Sequence, residues 1–366
     1  MTSLSRYECI VVKIGSALLV EDGALRTTWL TRLCSEIADL CESGVKVVIV
    51  SSGAVALGCE ALGLEPTKLT LPHKQACAAV GQSRLTRAYE NGLSAFGIKT
   101  AQALLTLHDT EDRRGWLNAK ATLKTLLDLG VVPIVNENDT VATEEIRYGD
   151  NDRLSARTAQ MVGADLLLLL SDIDGLYTAD PRMDPKAAHI GEVTTLTPEI
   201  MAYGGPPNPL RNVGSGGMAT KLAAARIAVK AGCDMIIHDG GDDNPIKRLT
   251  SGARHTLFRA DSNPKKARAQ WIAGGLTSRG RIVIDMGAGD AIRAGRSLLA
   301  VGVTSVDGAF DKGDAIDVHT PDGRRIARGL TNHGSGSLEI LRGLRSSEIQ
   351  DPVGPVVIHS DDLVVL

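Results

Sequence analysis

The stretch Val131 to Leu170 reads VVPIVNENDTVATEEIRYGDNDRLSARTAQMVGADLLLLL. It opens on an apolar run, Val131-Val132-Pro133-Ile134-Val135, and closes on a more apolar one, Asp165 to Leu170. Both read as buried strands. The run from Leu154 to Val162 has helical periodicity. Strand, helix, strand is the repeating unit of a parallel sheet with helices on its faces. Between the first strand and the helix, Asn136 to Ser155 carries six Asp or Glu and three Asn, gathered around Asp139 and Asp150-Asn151-Asp152. In an open α/β sheet, ligands sit just beyond the carboxyl ends of the strands. A polar cluster leaving a buried strand is placed where a site would be. It also reads as a solvated loop with Asp150 or Asn151 capping the next helix, so the rest of the chain has to decide.

Working outward, the same alternation recurs. Cys9 to Ile14 is a short apolar strand ending in Lys13-Ile14-Gly15-Ser16. Thr27 to Ser43 is helical and stops at Gly44. Val45 to Val50 is a strand that runs into Ser51-Ser52-Gly53-Ala54 and another helix. Small polar residues and Gly between strand and helix suit an anion or carboxylate pocket at a helix N-terminus. They also suit an ordinary Ser cap. Pro72 to Phe96 and Trp116 to Leu129 read as helices, with Ile98 to Leu105 a strand between them. Asp165 to Leu170 runs into Ser171-Asp172-Ile173-Asp174-Gly175. Asp234 to His238 and His255 to Arg259 read as further strands, and Lys265 to Trp271 as a helix.

With 366 residues the chain is long enough for two domains. Hydrophobic residues make up 43% but aromatics only 3%, so the core is built from Val, Ile, Leu and Ala. Such aliphatic strands suit a sheet buried on both faces. The formal charge of −3 implies no global attraction to nucleic acid or anionic membrane. The six cysteines form no C-x-x-C pair, and buried free thiols in a reducing compartment are expected. Lys13 interrupts the first apolar run, which speaks against a signal peptide. No apolar run is long enough to span a bilayer. A soluble cytoplasmic protein is the expectation.

Residues Gly214-Ser215-Gly216-Gly217-Met218-Ala219-Thr220-Lys221 precede an Ala-rich helix. A P-loop would need Gly-Lys followed by Ser or Thr, after a strand; here Lys221 follows Thr220, after a Pro-rich segment. The formal match to a dinucleotide fingerprint also lacks its strand. What remains is physical: small residues, a helix N-terminus and a lysine suit a phosphate. From about Gly280 the segments shorten and read as strands: Arg281 to Ile284, Ala315 to His319, Arg325 to Leu330 and Gly354 to Ile358. Pro321-Asp322-Gly323 is a hairpin signal. The expected domains are therefore residues 1–279 and 280–366.

Together these pieces resemble the amino-acid kinase family. The resemblance lies in Val11-Val12-Lys13-Ile14-Gly15-Ser16, Ser51-Ser52-Gly53-Ala54, Asn136-Glu137-Asn138-Asp139 and Gly149-Asp150-Asn151-Asp152. It continues in Gly175-Leu176-Tyr177-Thr178-Ala179-Asp180-Pro181 and Gly216-Gly217-Met218-Ala219-Thr220-Lys221. The tail is similar to a PUA domain, so nearly the whole chain is covered. The first and last motifs occur across the family. The Asn-Glu-Asn-Asp and Gly-Asp-Asn-Asp pair, with the PUA-like tail, points to its glutamate-phosphorylating members. Gly204 to Asn212, with its Pro-Pro-Asn-Pro, departs from the pattern.

The resemblance implies an α/β fold, an αβα sandwich around a mainly parallel eight-stranded open sheet, with a small β-rich domain after it. It implies transfer of phosphoryl from ATP to the γ-carboxylate of L-glutamate, the first step of proline synthesis. Inhibition by proline, a homo-oligomer and handover of the labile acyl phosphate to glutamyl phosphate reductase are expected with it. Carried over residue by residue, Lys13 and Lys221 supply positive charge to the transferring group and Asp152 orients them. Ser52, Asp139 and Asn151 bind glutamate, with Asp139 the partner of the α-ammonium. Lys13, Ser171, Asp172, Ser215, Gly216, Gly217, Met218, Ala219, Thr220 and Lys221 hold ATP. Mg²⁺ rides on the nucleotide phosphates, and no residue is assigned as a metal ligand.

Two other readings stay open. A sister kinase could act on N-acetylglutamate or aspartate, although an acetylated amine has no use for Asp139. A dead kinase body could serve an RNA-binding tail, although Lys13, Asp152 and Lys221 are all present. From Gly280 onward nine Lys and Arg stand against twelve Asp and Glu, with Phe310 the single aromatic. Such a tail lacks the charge and the stacking platform for RNA.

Overall fold

In the computed structural model, residues 4–141, 151–205, 217–274, 276–350 and 353–366 are described. The chain folds as two compact units, Met1–Pro264 and Lys265–Leu366.

The first unit is built on eight strands: β1 (Cys9–Ile14), β2 (Lys46–Ser51), β3 (Lys99–Leu105), β4 (Val131–Glu137), β5 (Leu166–Ser171), β6 (Glu192–Val193), β7 (Asp234–Asp239) and β8 (His255–Phe258). Their order is β6-β8-β7-β5-β1-β2-β4-β3. All neighbours pair in parallel except β7 and β8, which are antiparallel. The αβα expectation from the sequence is met.

Why the sheet is covered on both faces follows from side-chain alternation along each strand. Ile10, Val12, Ile14, Val47, Ile49 and Ile134 point to one face. There they meet Leu33 and Ile37 of helix α1 (Thr27–Glu42), Leu57 of α2 (Ala54–Leu62) and Leu85, Tyr89 and Leu93 of α3 (Leu71–Ser94). Val11, Val48, Val50, Val135, Leu167 and Leu169 point the other way. They meet Leu123 and Leu127 of α4 (Arg113–Asp128), Leu154 and Ala159 of α5 (Asn151–Val162) and Leu222 and Ala225 of α6 (Met218–Lys230). Lys13 shares the face of Val11, so its side chain emerges on the side of α5 and α6. Asn136 shares the face of Ile134, toward α3.

Helices α2 and α3 approach almost to backbone contact. A Cβ on Gly58 would lie 1.8 Å from the carbonyl oxygen of Cys77, and one on Gly81 1.8 Å from that of Ala54. Helix α2 starts immediately after Gly53, whose φ of +107° lets Ser52 turn off the strand end. The Trp29 indole, buried at the start of α1, donates to the carbonyl of Gly240 just beyond β7 at 2.9 Å. All six cysteines are free, and all but half-buried Cys41 are buried.

The second unit takes in helix α7 (Pro264–Gly274) from Lys265 on, whereas the texture of the sequence changes only at 279/280. Ile272 of α7 packs with Ala315 and Leu330. Its five-stranded sheet contains β9 (Gly280–Ile284), β10 (Val303–Gly308), β11 (Ala315–His319), β12 (Arg325–Leu330) and β13 (Leu363–Val365), in the order β10-β9-β11-β12-β13. Strands β11 and β12 form the hairpin expected at Pro321-Asp322-Gly323, with Gly323 at φ +80°. Two short helices, α8 (Met286–Arg293) and α9 (Ser335–Leu341), are not foreshadowed in the sequence.

Candidate functional site

The parallel register lines up one set of polar residues. Ile14 pairs with Ser51 and Leu170, and Ser171 with Asp239. Lys13, Ser51, Asn136 and Ser171 thus stand at the carboxyl ends of neighbouring strands β1, β2, β4 and β5, where open sheets bind ligands.

Three charged side chains meet on the α5–α6 face. Lys13 Nζ lies 2.5 Å from Asp152 Oδ1, and Lys221 Nζ lies 3.2 Å from Asp152 Oδ2. Thr220 Oγ1 also donates to Asp152 Oδ2 at 3.0 Å. All three charged residues are buried, Asp152 to 1% exposure. Burial by itself pushes the Asp152 carboxyl up, but the charges and hydrogen bonds of Lys13 and Lys221 outweigh it and hold it well below the usual carboxylate range. Asp152 is therefore a fixed anion that anchors two ammonium groups from different elements. Lys221 and Thr220 sit in the first turn of α6, whose N-cap is Gly217, with Met218 and Ala219 between. The Thr220 and Lys221 N–H groups already donate to the Gly217 carbonyl at 3.1 and 3.4 Å, so those of Met218 and Ala219 are the ones the helix leaves over.

On the opposite face runs a chain of amides. Asn151 Nδ2 donates to Ser52 Oγ at 2.7 Å, to the Ser51 carbonyl at 3.1 Å and to Asn136 Oδ1 at 3.0 Å. Asn136 Nδ2 donates to Gln82 Oε1 of α3 at 2.7 Å. Gln82, Ala78, Leu104, Glu137, Asn138, Asp139 and Thr140 line one small pocket. Asp139 is half-buried there, and burial pushes its carboxyl up to about 6.

The structure thus brings together Lys13, Asp152, Thr220 and Lys221 as one cluster, and Ser52 with Asn151 as a second. Asn151 and Asp152 are consecutive at the start of α5, so one helix end serves both. Ser171 is buried and donates to exposed Asp172 Oδ1 at 3.1 Å on the strand next to Lys13. Asp150, Ser215 and Gly216 lie outside the described residues. Gln82 is a site residue that the sequence reading passes over. Its signal is there: it interrupts the buried helical stripe Ala78, Leu85, Tyr89 with an amide. Asn136 stands out in the sequence only as part of the polar stretch, not as the hub between Gln82 and Asn151.

The sequence pattern of the amino acid kinase family matches residues 8–239, and that of the PUA domain residues 280–353. A glutamate 5-kinase from Caulobacter vibrioides is 55% identical over 361 residues, covering 97% of this chain and 96% of its own. One from Paracoccus denitrificans is 52% identical over 366 residues, covering 99% and 98%. Among solved structures, carbamate kinase from Giardia lamblia bound to AMP-PNP aligns at a TM-score of 0.49 and 18% identity, over 70% of this chain and 100% of that one. With a family pattern spanning most of its length and relatives above half identity end to end, the chain belongs to the amino acid kinase family, among the glutamate 5-kinases that carry a PUA domain.

Proposed function

We propose that this chain transfers the γ-phosphoryl group of ATP to the γ-carboxylate of L-glutamate, giving ADP and γ-glutamyl phosphate for proline synthesis. The observation that carries the reading is Asp152 gripped by Lys13 and Lys221 at the strand ends, one residue from the Asn151–Ser52 pair. The acceptor is already ionised at neutral pH, so the reaction needs no general base. Its difficulty is to bring two anions together, and phosphoryl transfer is catalysed by positioning and charge. Lys13 and Lys221 supply that charge, and Asp152 fixes both ammonium groups before substrates arrive. Ser52 and Asn151 hold the amino-acid end of glutamate, with Asp139 beside its α-ammonium. The open first turn of α6, Gly217 to Lys221, receives the ATP phosphates, and Ser171 and Asp172 flank the nucleotide.

ATP brings Mg²⁺ with it. Both Asp152 oxygens are already engaged by lysines, and among the described residues no three His, Cys, Asp or Glu side chains converge. An ion held by phosphate oxygens and water fits such a site without a protein cage. We further propose a catalytic unit and a C-terminal unit that serves assembly or regulation, a homo-oligomer, proline competing at the glutamate pocket, handover to glutamyl phosphate reductase and a cytoplasmic setting. No helix among the described residues is long and apolar enough to cross a membrane.

The test is ADP release with glutamate, N-acetylglutamate, aspartate and carbamate in turn, with hydroxylamine trapping of any acyl phosphate. Glutamate alone should give both ADP and hydroxamate at high rate. Faster turnover of N-acetylglutamate, or ADP without hydroxamate, overturns the assignment.

A further inference from the structure

We infer that Gln82 is a positioning residue for the amino-acid substrate, acting through Asn136 on Asn151; this rests on the glutamate reading above. A side-chain amide can present either its oxygen or its nitrogen, so the direction of an amide chain has to be fixed somewhere. Here backbone groups fix it. Asn136 Oδ1 accepts from the Glu137 N–H at 2.8 Å, and a backbone N–H can only donate. Asn136 Nδ2 must then face Gln82, whose Oε1 accepts it at 2.7 Å. Asn151 Nδ2 donates to the Ser51 carbonyl, which can only accept. Its Oδ1 is consequently left as an acceptor, and it is buried with no donor among the described residues.

The chain therefore ends on two groups of opposite kind. Asn151 offers a carbonyl oxygen without a donor, and Ser52 offers a hydroxyl whose oxygen is already used as acceptor and whose proton is left to donate. An α-ammonium and an α-carboxylate satisfy that pair. Gln82 is the far anchor of the arrangement. It is 8% exposed, its Nε2 donates to Thr86 Oγ1 at 3.3 Å, and its side chain also walls the pocket that holds Asp139. Without an acceptor at position 82, Asn136 Nδ2 loses its partner. The Asn136 amide is then free to turn and compete for Asn151, so the amino-acid end is held less well while the lysine cluster on the other face of the sheet stays intact.

The experiment is steady-state kinetics of the full chain with Gln82→Met and Gln82→Glu. Methionine keeps the length and removes both hydrogen bonds; glutamate keeps the acceptor facing Asn136. Gln82→Met should raise the KM for glutamate about ten-fold while kcat and the KM for ATP stay within about two-fold. Gln82→Glu should restore the KM to within about three-fold of the parent. Were Gln82→Met insoluble, Thr86→Val, which frees Gln82 Nε2, should raise the glutamate KM about three-fold by the same route. An unchanged glutamate KM, a parallel fall in kcat, or a Gln82→Glu as impaired as Gln82→Met overturns the inference. A parent enzyme that ignores glutamate sinks the underlying assignment instead, and the two failures are read from different columns of the same data.

Discussion

At the scale of single residues, the site separates two kinds of work, and kinetics should separate them too. In the proposed reaction Lys13 and Lys221 reach the phosphoryl group, whose charge distribution changes in the transition state. Lys13→Ala and Lys221→Ala should each lower kcat by about 100-fold, roughly 3 kcal/mol, with a smaller effect on the KM for glutamate. Near-parental kcat in either variant removes it from the reaction. Asp139 should behave differently. In the proposed site it meets the α-ammonium equally in ground and transition states, so its loss should raise KM and spare kcat. Its pH dependence has a definite sign. Burial lifts its carboxyl to about 6, so above that pH it is an anion that attracts the ammonium, and below it the attraction is lost. The KM for glutamate should be flat above about pH 7 and climb as pH falls through about 6, and Asp139→Asn should show a raised KM with no such climb. The same shift means that the folded state holds this proton more tightly than the unfolded chain does. Asp139 therefore subtracts stability as pH rises from the ordinary carboxylate range toward 6.

At the scale of elements, the α2–α3 pair couples packing to the pocket. Helix α2 begins one residue after Gly53, next to Ser52, and α3 carries Gln82. A methyl at Gly81 meets the backbone of Ala54 rather than a side chain that could swing aside. Gly81→Ala should cost at least about 1–3 kcal/mol, lower Tm by roughly 5 °C and raise the glutamate KM along with it. An unchanged Tm shows that the helices part freely. The elements themselves are legible in the sequence: each of the long strands and helices falls within a few residues of its apolar pattern, because periodicity is local. The clustering of Lys13, Asp152 and Lys221 is reached through the motifs they sit in. Pairing at long range is what stays hidden. Asn136 and Gln82 lie 54 positions apart, and nothing local in either segment announces the other. The short helices α8 and α9 escape for a related reason, since seven or eight residues give too few turns for periodicity to show.

At the scale of the molecule, the charge of the C-terminal unit has an internal explanation. From Gly280 on, a basic cluster falls at Arg324, Arg325 and Arg328. Arg328 is spent inside the unit: Nε and Nη2 bond Asp317 at 2.7 and 3.2 Å, and Nη1 bonds the Leu276 carbonyl at 2.9 Å. Arg325 also lies 3.6 Å from Asp317. With its cluster partly neutralised, the full chain should show no binding to structured RNA at physiological salt, and micromolar affinity that weakens steeply with added salt would refute this. The placement of the sulfur and indole groups has a practical consequence as well. Every cysteine precedes Pro264, whereas Trp271 belongs to the other unit. A thiol-alkylating reagent applied to the native enzyme should mark Cys41 first and the remaining five only as the first unit opens. The labelling clock is blind to the second unit, which can melt without advancing it, so alkylation times the opening of the first unit alone.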